Sequence, residues 1–143
     1  MRQVLIVIIV CFISITIQAQ KYGNEWIQFS QTYHKLPITK SGIYRIDSTT
    51  LSQYYNLNTV NPNNFQLFIK GKEQFLFIKG ESDGVLNGND FLEFYAEPFM
   101  GDIDSCVYTD IQYNPSPYLA IYSDTLYAFL TLNNSTSNKR YTL

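Results

Sequence analysis

Seven short runs rich in aromatic and β-branched side chains, each bounded by Gly, Pro, Asn or Asp, constrain this chain towards strands. They fall at 33–38, 42–47, 65–70, 74–79, 91–95, 118–122 and 126–132. Between them sit Lys40-Ser41-Gly42, Lys70-Gly71-Lys72-Glu73, Asp83-Gly84, Asn87-Gly88 and Ser123-Asp124. These residues tolerate positive φ or bond their own backbone, so hairpins are expected. One stretch, 48–55, interrupts the pattern. Asp47 and Ser48 are N-cap candidates there, and Leu51 falls on one side with Tyr54 or Tyr55, which predicts a single short helix. In 91–95, Leu92 and Phe94 share a face opposite Glu93, as a half-solvated antiparallel strand requires. Phe75-Leu76-Phe77-Ile78 is apolar on both faces and needs cover on each. The expectation is an all-β fold, a mostly antiparallel β-sandwich with one short helix.

The start of the chain reads differently. Met1-Arg2-Gln3 is a short cationic opening, residues 4–17 are almost unbroken apolar, and Ala19 is the small residue a signal peptidase prefers. Fourteen residues at ~1.5 Å rise would span about 21 Å, short of the ~30 Å hydrocarbon core, which favours a cleaved signal over an anchor. A lipoprotein reading would use Cys11, but Val10 before it is too bulky and the apolar run continues past it. Three segments follow from this reading: a signal peptide at 1–19, a β module at 20–132, and a loop with the start of a truncated strand at 133–143. Export through Sec to the periplasm, outer-membrane surface or exterior is expected, through the export machinery and with no permanent membrane span.

At 143 residues, the chain has room for one domain. Its 23 aromatics (Tyr 12, Phe 10, Trp 1) exclude a disordered segment. A formal charge of -2 excludes a nucleic-acid grip, which needs cations along the phosphates. Charge is unevenly placed. Residues 81–137 hold nine carboxylates and no Lys or Arg, whereas residues 21–79 carry a net of +4. Basic and acidic strands pairing across the domain is one consequence, and a cation site is the other.

A cation site would draw on 80–90, where Glu81, Asp83, Asn87 and Asp90 offer oxygens on a glycine-bent loop suited to Ca²⁺. The spacing is not that of an EF-hand, and Asp-Gly and Asn-Gly serve equally as plain turns, so no cofactor is otherwise implied. A Cys/His dyad would need Cys106 and His34, the only copies beyond residue 19. Asp102, Asp104 and Asp110 flank the thiol, and negative neighbours deplete the thiolate that attacks. The carboxylate pairs Asp90/Glu93 and Glu93/Glu97 are what any acidic loop provides. No G-x-S-x-G, HExxH or Walker-type spacing occurs, so the chain alone reads as non-catalytic. Aromatics can also form a platform for sugars or peptides, with Trp26 and Tyr118 the leading binding candidates beside Tyr113, Tyr122 and Tyr127.

Five motifs in order, Gly23-Asn24-Glu25-Trp26-Ile27, Gly42-Ile43-Tyr44-Arg45-Ile46, Asn64-Phe65-Gln66-Leu67-Phe68, Gly80-Glu81-Ser82-Asp83-Gly84 and Asp90-Phe91-Leu92-Glu93-Phe94-Tyr95, carry a resemblance. The region resembles the amino-terminal part of gingipain-like cysteine peptidase precursors of Bacteroidota, large proteins tied to type IX secretion. The resemblance implies a β module ahead of a peptidase domain that holds the nucleophilic Cys and its His. No catalytic residue transfers to this chain, and the implied partner is the downstream peptidase domain of the same precursor. Asp47-Ser48-Thr49 and Asp124-Thr125-Leu126 resemble that phylum's O-glycosylation tripeptide. The expected function is a non-catalytic module that shields, positions or makes protein contacts. The alternative is a surface carbohydrate- or peptide-binding module unrelated to a protease.

Overall fold

The computed structural model describes residues 23–101, 104, 107–116, 118, 120, 121, 123–134 and 138–141. Among the described residues, seven strands and one α-helical turn follow in the order β1 (His34–Ile38), β2 (Gly42–Asp47), α1 (Ser48–Leu51), β3 (Phe65–Ile69), β4 (Lys72–Gln74), β5 (Phe77–Lys79), β6 (Phe91–Ala96) and β7 (Leu126–Leu132), with short 3-10 turns at Pro62–Asn64, Glu81–Asp83 and Ile111–Tyr113. They form a four-stranded sheet, β1-β7-β3-β4, and a three-stranded sheet, β2-β6-β5, each antiparallel throughout. The architecture is the all-β, sandwich-like one that the alternation implies. Among the described residues no helix is long and apolar enough to cross a membrane.

One core joins the sheets. Ile38, Phe65, Leu67, Ala128 and Leu130 come from the larger sheet, and Ile78, Leu92, Phe94 and Ala96 from the smaller, all buried in one cluster. Along β6 burial alternates, with Leu92 and Phe94 inside and Glu93 part-exposed, so a period of two sets which face is wet. β3 departs from alternation: Phe65, Gln66, Leu67 and Phe68 are all buried. Its outer side is covered by Trp26, whose ring lies 5.0 Å from that of Phe68.

Turn chemistry explains the joints. Lys70 (φ 50) and Gly71 (φ 72) both occupy the left-handed region between the paired residues Ile69 and Lys72. That is a two-residue type I′ hairpin, whose twist matches the strands it joins. A Cβ at Gly71 would also sit 3.0 Å from the Trp26 ring, so the indole needs a glycine beneath it. The 40–42 turn is not a hairpin, because β1 and β2 belong to different sheets. The crossing is fixed by Tyr44, whose hydroxyl accepts from the N–H of Thr39 and Lys40 and donates to Lys40 O at 2.8 Å.

Two expected strands are corrected. The 74–79 run divides, its first residue ending β4 in one sheet and 77–79 forming β5 in the other. At the crossing the fully buried Leu76 pairs with neither sheet: its N–H donates to Lys139 O (3.2 Å), and its carbonyl accepts from Tyr141 N–H (2.9 Å). This makes a parallel bridge to Arg140, which gives the segment at 139–141 a partner at Leu76. The Phe75 side chain, on the outer side, rests against Tyr141 with ring centroids 5.3 Å apart. The second correction is 118–122, where none of the described residues Tyr118, Ala120 and Ile121 is in a strand. Here Asp104, buried, accepts from Ile121 N–H at 2.6 Å and holds the chain as a loop.

Arg140 secures the crossing. Its Nε donates to Glu81 Oε1 at 2.8 Å, and Nη2 donates to the carbonyls of Pro62 (3.3 Å), Asn63 (2.8 Å) and Phe65 (2.8 Å). The side chain is only 13% exposed. Removing one partner of such a pair strands the other group without compensation, at a cost of roughly 3 kcal/mol or more. Arg140→Met is therefore expected to lower Tm by roughly 10 °C. Arg45→Ala, which breaks the wetter Arg45–Glu93 pair (Arg45 59% exposed), should cost under about 1 kcal/mol by the same thermal denaturation.

The helical turn is capped as its sequence implies. Asp47 Oδ1 accepts from Thr50 N–H at 2.7 Å. The Thr50 hydrogen bonds, side chain first and then backbone, hold the Asp47 carboxyl below its ordinary value of 3.8. A depressed carboxyl stabilises the fold above its unfolded pKa and loses that contribution as pH falls through the folded value. Asp47→Ala should thus lower Tm at pH 7, and the gap to wild type should close in denaturation curves taken below pH 3.8.

Candidate binding groove

The best-defined candidate site grows from the end of the helical turn. Leu51 O accepts from both Tyr54 N–H (3.0 Å) and Tyr55 N–H (2.9 Å), which places the two tyrosines side by side over β1. Tyr55 goes inward. Its ring meets Phe65 edge-on at 5.2 Å, and its hydroxyl donates to Leu130 O at 3.4 Å. Burial pushes the Tyr55 phenol well above its ordinary pKa, so it stays a neutral donor.

His34 stands at the start of β1, paired with Leu130 of β7. Its ring packs against Tyr55 at 4.8 Å and Tyr54 at 4.9 Å. Phe65, Tyr55, His34 and Tyr54 thereby form a continuous series of rings from the core to the surface, ending at a Tyr54 that is 61% exposed. Each contact lies in the range where aromatic pairs attract, so the outermost ring is held by a rigid base. His34 is thus a part-exposed residue of the edge strand β1 whose ring is packed between two tyrosines.

Two depressions share the His34 side of this wall, and a third, of about 800 Å³, meets the two tyrosines from the α1 side. Of the first two, one, of about 610 Å³, runs between the 30–32 segment, His34, the two tyrosines and Asn133–Asn134 after β7. The other, of about 440 Å³, is more apolar and lies between β1, Ile46 and Leu51. Among the described residues, no Asp, Glu, Lys or Arg lines the larger of these two.

The residues singled out from sequence are placed elsewhere. Glu81 is held by Arg140; Asp83 Oδ1 accepts from Val85 N–H (3.1 Å); Asp90 Oδ2 accepts from Asn87 N–H (3.0 Å). These carboxylates build the 80–90 loop, in which a Cβ at Gly80 (φ 94) would fall 2.5 Å from the Asp90 carboxyl. Among the described residues no group of three or more His, Cys, Asp or Glu gathers as metal ligands. Trp26 packs among Phe68, Phe129 (5.4 Å) and Tyr33 (5.5 Å). Tyr118 is 72% exposed on a turn. Cys106 and the 1–19 segment lie outside the described residues. Ser48 of the tripeptide at 47–49 is buried, with its hydroxyl donating to Gly88 O at 2.9 Å.

Trp26 and Tyr118 should separate cleanly in a stability assay. Trp26→Ala opens the cover over β3 and is expected to cost roughly 3 kcal/mol in urea denaturation, whereas Tyr118→Ala should stay within about 0.5 kcal/mol. No protein-family model matches the chain, and neither a curated protein nor a solved structure matches it.

Proposed function

We propose that this chain is an exported, non-catalytic β module at the front of a gingipain-like cysteine peptidase precursor, and that its task is protein contact with the peptidase domain downstream. The observation that carries the reading is the outer face of the smaller sheet. β2 lies at the end of the order β2-β6-β5, and Ile43 on it is 73% exposed directly opposite Tyr95, which is 51% exposed. Apolar side chains on an edge strand invite a second chain, by strand addition or by burial of the face.

The rest of that face suits a protein partner. Next to the Ile43–Tyr95 pair stands Arg45–Glu93, with Arg45 also lying over the Phe91 ring at 3.9 Å. Tyr95 donates to Glu97 Oε1 at 2.7 Å, and that hydrogen bond above all raises its phenol pKa. An apolar centre bordered by aromatic and Arg side chains is the composition of an interface core and its rim. The motifs behind the resemblance also support the reading through their places in the fold. They supply the Trp26 cover, β2, the start of β3, the Gly80–Gly84 turn and β6.

Purified residues 20–143 should bind the peptidase domain encoded in the same reading frame, measured by calorimetry, and Ile43→Asp or Tyr95→Asp should weaken binding at least about tenfold. A frame carrying no Cys/His peptidase domain, or binding that both variants leave intact, overturns the proposal. Amino-terminal sequencing of the exported protein should begin at Gln20. An intact Met1 on exported material would refute the cleaved signal.

A further inference from the structure

We infer that the groove between His34, Tyr54 and Asn134 binds a neutral carbohydrate, with Tyr54 as the stacking platform. The inference stands apart from any peptidase connection, because it rests on the groove alone. At about 610 Å³ the space falls within the ~300–1,000 Å³ typical of small-ligand sites.

The lining selects the ligand class. Among the described residues its polar groups are hydroxyls, carboxamides and one imidazole, with no Asp, Glu, Lys or Arg, so an ionic ligand finds no counter-charge from them. Two carboxamides are anchored by their oxygens. Gln31 Oε1 accepts from Tyr33 hydroxyl at 3.1 Å, and Asn134 Oδ1 accepts from Asn64 Nδ2 at 3.1 Å. Among the described residues neither NH₂ group has a partner, so each remains as a donor on a side chain that lines the groove. Fixed donors beside an aromatic ring match a sugar, whose hydroxyl oxygens accept while its C–H face lies on the ring.

Rigidity strengthens the case. Tyr54 is backed by His34, which is backed by Tyr55, itself tied to Leu130 O and Phe65. A ring fixed before binding loses little freedom on contact. An extended peptide is disfavoured as the occupant, because the bordering edge strand β1 contains Pro37, which offers no N–H for strand addition.

The test titrates residues 20–143 with a panel of neutral hexasaccharides (gluco-, manno- and N-acetylglucosamine-based), read by saturation-transfer NMR and calorimetry. At least one should bind saturably, with affinity unchanged between low and high salt. Tyr54→Ala should weaken it about tenfold, the scale of one lost aromatic contact, while Tyr54→Phe and Tyr118→Ala retain it. Asn134→Asp, which replaces the donor with a charged acceptor, should also weaken it and serves as the decisive variant if Tyr54→Ala proves unfolded by circular dichroism. No saturable binding across the panel overturns the inference. So does affinity that collapses with salt, binding indifferent to both Tyr54→Ala and Asn134→Asp, or preferential binding of an extended hexapeptide in the same groove.

Discussion

The two sheets depend on how one buried residue, Leu76, satisfies its backbone. The chain leaves the larger sheet after Gln74 and enters the smaller at Phe77, and Leu76 lies between them with no ladder neighbour from either. A peptide buried there without partners would cost the desolvation of its N–H and C=O. Lys139 O and Tyr141 N–H supply those partners. Arg140 holds that segment in turn by bonding Glu81 and the carbonyls at Pro62, Asn63 and Phe65, which ties the 80–90 loop of one sheet to the entry into β3 of the other. The segment at 138–141 therefore works as an inter-sheet clasp. Its contribution is specificity of arrangement as much as energy, because hydrophobic burial alone does not fix how one sheet sits on the other.

The aromatic content acquires a purpose in this frame. A small sandwich has one interior, yet β3 is buried on both faces, so a second layer is needed outside the larger sheet. Trp26, Tyr33 and Phe129 provide it over Phe68. At the other end of β3, Phe65 starts the series of rings that runs through Tyr55 and His34 to Tyr54. Aromatics thus do two jobs, closing the outer face and carrying rigidity from the core to the groove.

What could be read from sequence was local, and what could not was set by residues far apart in the chain. The bounds of β2 and β7 match their aromatic and β-branched runs, and β6 extends its run by the single residue Ala96. Asp47 caps the helix as its residue type implies. The 74–79 run gave no sign of dividing, because Leu76 and Ile78 face inward with unbroken period two while the division is enforced by Arg140, 59 residues beyond its Glu81 partner. The 118–122 run has strand composition, yet Asp104 takes the Ile121 N–H from 17 residues away. The groove was hidden for the same reason. His34 and Tyr54 are ordinary residues apart, and the pairing of β1 with β7 and the turn after α1 bring their rings together.

The acidic half of the sequence shows how composition can mislead about sites. Nine carboxylates without a nearby cation suggest a metal. In the fold, however, Asp83, Asp90, Asp104 and Asp110 each accept a backbone N–H, from Val85, Asn87, Ile121 and Gln112. Two more, Glu81 and Glu93, pair with arginines. Loops of this length leave many amide donors outside any ladder, and short acidic side chains are the residues that satisfy them locally. The negative charge of these residues is thereby distributed through turns around the smaller sheet and at Asp104 and Asp110, while the groove beside β1 and β7 is left to hydroxyls, amides and rings. A ligand held there would be bound through shape, stacking and directed hydrogen bonds. The groove and the Ile43–Tyr95 face thus present different chemistry, hydroxyls, amides and rings in the one and an exposed apolar pair beside the Arg45–Glu93 ion pair in the other.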